Sequence, residues 1–228
     1  MTIHDFLIDL SAYRGENVFN PWGQSDALHD IGDPASAIRR VNLGVYLELR
    51  SQADYIFMAE ALGYQGGHFS GVALTSERML LGYHAISPEE IFGQYKPQRT
   101  SDPAKLDKEI LRQKGFNEPT DTVVWQGLRD CGFDLFKVVF WNIFPFHPYN
   151  KGNILSNRTP SEAELELGYG YFIKLKQIYP NAKVVAIGKK CQDTLAAFGM
   201  ECPALRHPSM GGANEFRSGL QNLKKENG

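Results

Sequence analysis

The segment from Ala182 to Gly188, AKVVAIG, reads as a buried β-strand, and it is one of several short apolar runs spread along the chain. The others are Tyr55 to Met58, then KVVFW from Lys137 to Trp141, and a brief run from Pro203 to Arg206. Segments with apolar residues at helical spacing separate them. Strands that alternate with helices and are apolar on both faces specify a parallel sheet covered on each side. The expected fold is therefore α/β, a three-layer α/β/α sandwich around a parallel sheet of about four strands.

The helical segments can be placed from their punctuation. Residues 1 to 32 begin amphipathically at Ile3, Phe6, Leu7 and Leu10 and continue into a passage rich in Gly, Asn and Pro. Asp33-Pro34 supplies an N-cap and a first-turn proline, and Ile38, Val41, Val45 and Leu49 follow as the expected buried face. Ser87-Pro88-Glu89-Glu90 opens a short helix within an irregular excursion from Met79 to Pro119. Pro119 then opens another, with Val124, Leu128 and Cys131 inward and Gly132 as its stop. Thr159-Pro160-Ser161-Glu162 has capping-box spacing, ahead of Leu165, Tyr169, Phe172 and Leu175. A helix through Leu195 and Phe198 and a last one using Ala213, Phe216, Leu220 and Leu223 complete the pattern.

No stretch looks like a linker, so residues 1–228 are read as a single domain, with 1–50 a helical wrap and 51–223 the α/β core. A formal net charge of -2 gives no global signature of a nucleic-acid binder, which leaves only local basic groups around a cleft. Cys131, Cys191 and Cys202 form no CxxC pair and no set of four, which argues against a disulfide framework, a zinc ribbon or an iron-sulfur cluster. No run approaches the roughly 18 apolar residues of a membrane span, and MTIHDFLIDL lacks the features of a leader. The expected location is the cytoplasm. No metal or cofactor is expected, and the chain is expected to be a monomer.

Polar residues at the carboxyl ends of the strands are the candidates for chemistry, because open α/β sheets place ligands there. Glu60 follows the first strand and leads into a turn holding Gly63, Gly66, Gly67 and Gly71. Asn142 follows the second strand in WNIFPFHP, and His207 follows the last in RHPS. A carboxylate, an amide and an imidazole on one rim can bind a planar hydrogen-bonding ligand and manage charge around it. Each also has an ordinary structural use, Glu60 as a turn cap, Asn142 in a turn and His207 as a satisfied histidine.

Glu60-Ala61-Leu62-Gly63 with Gly71 and Thr75-Ser76-Glu77-Arg78, then Asn142, then His207-Pro208-Ser209, resemble in their order the motifs of the uracil-DNA glycosylase superfamily. The resemblance spans about residues 54 to 216. It implies a DNA base-excision repair enzyme that flips uracil or a related deaminated base out of the stack and hydrolyses its N-glycosidic bond. Within it, Glu60 and His207 are the catalytic residues: Glu60 positions water and offsets the sugar cation, and His207 stabilises charge on a base oxygen. Asn142, Gly63, Phe69 and Leu74 surround the base. Ser209, Met210, Arg78, Arg158 and Arg206 meet DNA, with Met210 where the family carries a duplex wedge.

Two positions depart from the family pattern. Leu62 stands in place of a proline, and Leu74 in place of an aromatic that stacks on the base, leaving stacking to Leu74 or Phe69. Gly63 stands where uracil-selective members place a tyrosine, so a bulkier base could enter. These departures keep open a catalytically weak or inactive module of the same fold that binds a base or nucleotide. A small-molecule hydrolase on another α/β fold, using Glu60 and His207, is the third reading.

Overall fold

A computed structural model describes residues 1–227. The chain runs α1 (Ile3–Ala12), β1 (Val18–Phe19), α2 (Pro34–Glu48), β2 (Tyr55–Ala61), α3 (Gly67–Ser70), α4 (Glu77–Leu80), α5 (Pro88–Phe92), α6 (Glu109–Lys114) and α7 (Pro119–Asp130). It continues through β3 (Val138–Phe144), β4 (His147–Pro148), α8 (Glu162–Ile178), β5 (Lys183–Ile187), α9 (Lys189–Ala197), β6 (Ala204–Leu205) and α10 (Ala213–Asn227). The main sheet has the order β3-β2-β5-β6 and every pairing in it is parallel. The expected α/β/α sandwich with four strands is what the chain adopts.

Side-chain alternation along β3 assigns the helices to faces. Phe140 meets Trp125 of α7 edge-on at 4.8 Å, whereas its neighbour Trp141 meets Phe6 of α1 at 5.5 Å. The α1 face also carries α8, whose Gly168 lets the helix approach so closely that a Cβ there would lie 2.2 Å from the Ile143 carbonyl oxygen. On the α7 face, α10 packs Phe216 and Leu220 against Gly127. Only residues 131–137 connect α7 to β3, so α7 runs back along the sheet and its N-terminus lies at the carboxyl edge of the strands. A second, two-stranded ladder joins β1 to β4 in antiparallel register, Val18 with Pro148 and Phe19 with His147.

Three expectations from the sequence need correction. The residues expected to form the buried face of α2 do not do so: Val41 is 51% exposed, Leu49 is also exposed and Ile38 and Val45 are half-buried, while Arg39, Asn42, Leu43, Tyr46 and Leu47 point inward. The reason is a buried polar anchor. The Arg39 guanidinium donates twice to Asp30, each at 2.9 Å, and also to Thr100 and to the carbonyls of Pro21 and Gln24. Paired in this way, a charge can be buried. Asp33 makes no side-chain cap, although Pro34 does occupy the first turn. The capping box of α8 is Ser161 with Glu164, two residues beyond the expected Thr159 with Glu162, because Arg158 holds Glu164 through both carboxylate oxygens at 2.6 and 2.7 Å. Among the described residues no helix is long and apolar enough to cross a membrane.

Candidate active site

Glu60 is the penultimate residue of β2 and His207 lies two residues beyond β6. Asn142 lies within β3 rather than after it, in register with Ala59. All three therefore occupy the carboxyl edge of the parallel sheet. Strand alternation places Asn142 with Phe140 on the α7 face and Glu60 on the opposite face, against α9. The start of α9 is held there by Cys191, whose thiol contacts the Met58 carbonyl at 3.1 Å and is pushed up to about 12 by burial. Lys190, one residue earlier, brings Nζ to 2.6 Å from Glu60 Oε1. Apart from that ion pair the enclosed Oε1 has no hydrogen-bond partner.

His207 has its tautomer set by the turn that follows it. The Ser209 backbone N–H donates to Nδ1 at 3.2 Å, and the Ser209 hydroxyl lies 2.7 Å from the same nitrogen. A ring nitrogen that accepts from a backbone amide carries no proton, so the neutral ring bears its proton on Nε2. Burial, followed by the neighbouring Arg206 charge, holds the imidazole below its ordinary range, with Glu60 opposing. His207 is thus a neutral donor at physiological pH. Gly188, at φ +95°, lets the turn after β5 approach, since a Cβ there would lie 3.2 Å from His207 Cβ.

Asn142 is 2% exposed and its Oδ1 is buried without a partner. Buried amide oxygens are rarely left without a protein or water partner, which marks this one as a place for a donor. Leu62 is buried, with its methyl groups filling the space a Cβ on Gly67 would need. Leu74 is buried at φ +49°, and its carbonyl accepts from the Trp125 indole at 2.9 Å. Phe69 is fully buried, stacked on Phe116 at 4.1 Å and tilted against His68 at 4.3 Å, so its ring is used in packing.

The basic candidates separate into two groups. Arg158 is committed to Glu164 and to the carbonyls of Tyr149 and Asn17, which makes it a strut of the loop before α8. Arg206 is exposed and donates only to the His207 carbonyl. Arg78 donates one long bond to the Gly115 carbonyl at 3.3 Å, and its Nε has no partner. It borders a cavity of about 460 Å³ with Tyr64, Lys108 and Phe116, which lies beside the Gly-rich turn and does not include Glu60, Asn142 or His207. Met210 is 94% exposed at φ +53°, at the tip of the turn that holds His207 and the exposed Ser209.

Several groups at or near this edge carry no sequence signal. Lys190 pairs with Glu60 only because α9 starts beneath β2. Asp26, His68 and His147 meet from three distant segments, with His68 Nε2 3.3 Å from Asp26 Oδ2. Glu118 and Asp121, at the start of α7, lie against the Gly63–Gly66 turn. Asp121 is fully buried and neither of its oxygens has a partner. Among the described residues no group of His, Cys, Asp and Glu is arranged to hold a metal ion.

Neither a family model nor a curated relative matches the sequence. The structure does match the crystal structure of wild-type SMUG2 from Pedobacter heparinus, a member of the uracil-DNA glycosylase superfamily, with a TM-score of 0.63 over 100% of this chain and 99% of that one. The sequences are 14% identical over that match. This chain has the fold of the uracil-DNA glycosylase superfamily.

Proposed function

We propose that the protein is a monofunctional DNA glycosylase that removes uracil or a related deaminated base by hydrolysing its N-glycosidic bond. The observation that carries this reading is the Ser209 amide bonded to His207 Nδ1, which leaves Nε2–H as a donor close enough to Glu60 for the carboxylate to bias the ring. Breaking the bond puts positive charge on the sugar and negative charge on the departing base. A neutral imidazole N–H fixed by the Ser209 turn stabilises a base oxyanion without first losing a proton. Glu60, on the same edge, orients water and offsets the sugar cation. Its ion pair with Lys190 holds the carboxylate in place, and the half-exposed ammonium is free to turn toward a phosphate.

Asn142 presents an unpaired amide oxygen able to accept from a base N–H. Met210, exposed and backed by the His207 turn, is suited to enter a duplex where the base has left the stack. Arg78 and Arg206 have the freedom to meet phosphates that Arg158 lacks. No lysine stands at the motif positions, and Lys190, the lysine the fold brings to Glu60, is used as its ion-pair partner, so strand cleavage through a Schiff base is not expected.

A second reading, a base- or nucleotide-binding module without turnover, is favoured by the burial of Leu74 and Phe69, the two residues expected to stack on the base. Base release decides between the two. Oligonucleotides carrying uracil, hypoxanthine, xanthine or hydroxymethyluracil, single- and double-stranded, would be incubated with wild type, Glu60→Gln, Asn142→Ala and His207→Ala, and abasic sites revealed with alkali. Release that these changes abolish or sharply slow supports the glycosylase. DNA binding without any release supports the module.

A further inference from the structure

Three polar atoms from two side chains at the carboxyl edge of the sheet are buried on the same face and lack partners. Asn142 Oδ1 is one, and alternation along β3 turns it toward α7. Asp121 contributes the other two, Oδ1 and Oδ2, from the first turn of α7, which starts at that same edge. Beside them, Glu118 presses its carboxyl group onto the turn that follows Glu60. A Cβ on Gly66 would lie 2.3 Å from Glu118 Oε2 and 3.3 Å from Asp121 Oδ2, and one on Gly63 would lie 3.1 Å from Glu118 Oε2. The turn does not satisfy the Asp121 oxygens: Gly66 and His68 donate to the Gly63 carbonyl, Phe69 to that of Gly66 and Tyr64 to Asn157, and none donates to Asp121.

We propose that Asp121 and Glu118 belong to the base pocket, where together with Asn142 they read the ring N–H and neighbouring carbonyl of an extruded lactam base. This rests on the glycosylase reading for its substrate and adds to it two residues that touch the base. The chemistry fits the vacant bonds. Asn142 Oδ1 and the Asp121 oxygens call for N–H donors, and a lactam supplies a ring N–H. A carboxyl group that keeps its proton donates to the adjacent carbonyl while its other oxygen accepts. Burial raises Glu118 to about 7, and burial together with the Glu118 charge raises Asp121 well above the carboxylate range, so the pair holds a proton near neutrality. Purely structural carboxyls with no partner would be costly to retain.

The test uses the whole protein and free bases, so that it does not depend on turnover. 1-Methyluracil keeps the ring N3–H and blocks N1 as a nucleoside does, whereas 1,3-dimethyluracil has no ring N–H. Calorimetric titration of wild type should show 1-methyluracil binding about tenfold or more tighter than 1,3-dimethyluracil. Asp121→Leu, which removes the acceptors but not the bulk, should erase most of that preference, and Glu118→Gln should reduce it. Asp121→Asn keeps one acceptor and should retain part of it, and thermal unfolding of each variant confirms that it is folded. An undiminished preference in folded Asp121→Leu and Glu118→Gln, or an equal loss for both ligands, overturns the proposal. Base release from oligonucleotides separates the two levels. Wild type that releases uracil while the variants keep full discrimination refutes the role of the pair alone, and wild type that neither binds 1-methyluracil nor releases a base refutes the glycosylase reading with it.

Discussion

His68 Nδ1 and His147 Nδ1 face each other at 2.9 Å, inside a chain that joins the Gly-rich turn to the end of β3. Only one of the two nitrogens can carry a proton if the contact is a hydrogen bond. His147 Nε2 donates to the Ser156 carbonyl at 2.8 Å, so His147 accepts at Nδ1 and His68 donates. His68 Nε2 lies 3.3 Å from Asp26 Oδ2, which ends the chain. Both rings are buried in their neutral forms, lowered by that burial to about 3 for His68 and about 4 for His147.

The unfolded chain regains ordinary histidines at 6.5 and binds more protons than the native state as the pH falls. The contribution of the pair to stability is therefore complete above about 6.5 and is lost as the pH drops toward the folded values. Between pH 7 and 5 the loss should reach about 2 to 4 kcal/mol in total. Urea unfolding of wild type and of a His68→Gln, His147→Gln double variant checks this, and the variant should lack most of that dependence.

Glu118 acts in the opposite direction over nearly the same range. Its folded value, raised by burial to about 7 from an ordinary 4.5, means that the unfolded chain ionises first. Stability from this group is intact below 4.5 and falls as the pH rises toward 7. Glu118→Gln should stabilise the protein at pH 7 by about 1 to 3 kcal/mol, after allowance for its partial exposure. It should also steepen the acid-side loss caused by the histidines, since the two effects partly cancel in wild type. A variant that loses stability at pH 7 would show that its carboxylate is ionised and paired.

In the proposed reaction His207 is a neutral donor, so its part in that reaction has no alkaline limit near 7. Base release should show no fall from deprotonation of an imidazolium between pH 6.5 and 8.5, because the ring is already held below the usual histidine range; a fall in that range belongs to the Glu118–Asp121 proton and should disappear in Glu118→Gln. His207→Ala should slow release by about 100- to 1000-fold, the cost of one donor at a developing oxyanion. Single-turnover rates across this pH range, with unchanged DNA affinity, check both points.

The strands and the order of the helices are readable from the sequence because short apolar runs of Val, Ile, Phe and Trp have few other uses. AKVVAIG and KVVFW lie where β5 and β3 form. The inward face of α2 was not readable, since a buried Arg39 looks like a solvated residue until Asp30 and Thr100 are known to surround it. The same holds for the site. Glu60, Asn142 and His207 stand out as polar residues at strand ends, but nothing local to Lys190 indicates that α9 will carry it to Glu60. Glu118 and Asp121 resemble any acidic first turn, which the helix dipole favours. Only the return path of α7 brings them to the Gly63–Gly66 turn, and long-range placement of that kind is not encoded in spacing.

Met210 combines two properties that a single substitution separates. Its left-handed backbone, φ +53°, is strained for a side chain with a Cβ, and the side chain is almost wholly in solvent. Met210→Gly should therefore raise stability by roughly 0.5 to 1 kcal/mol, because glycine adopts that conformation without strain and there is no packing to lose. If Met210 is the wedge, the same change should slow release from duplex substrates by about tenfold or more while leaving single strands nearly unaffected, since only a duplex needs the stack held open. Paired rate measurements on the two substrate forms, beside a thermal melt, test both halves. Equal slowing on both forms would assign Met210 to the turn that positions His207 and not to the DNA.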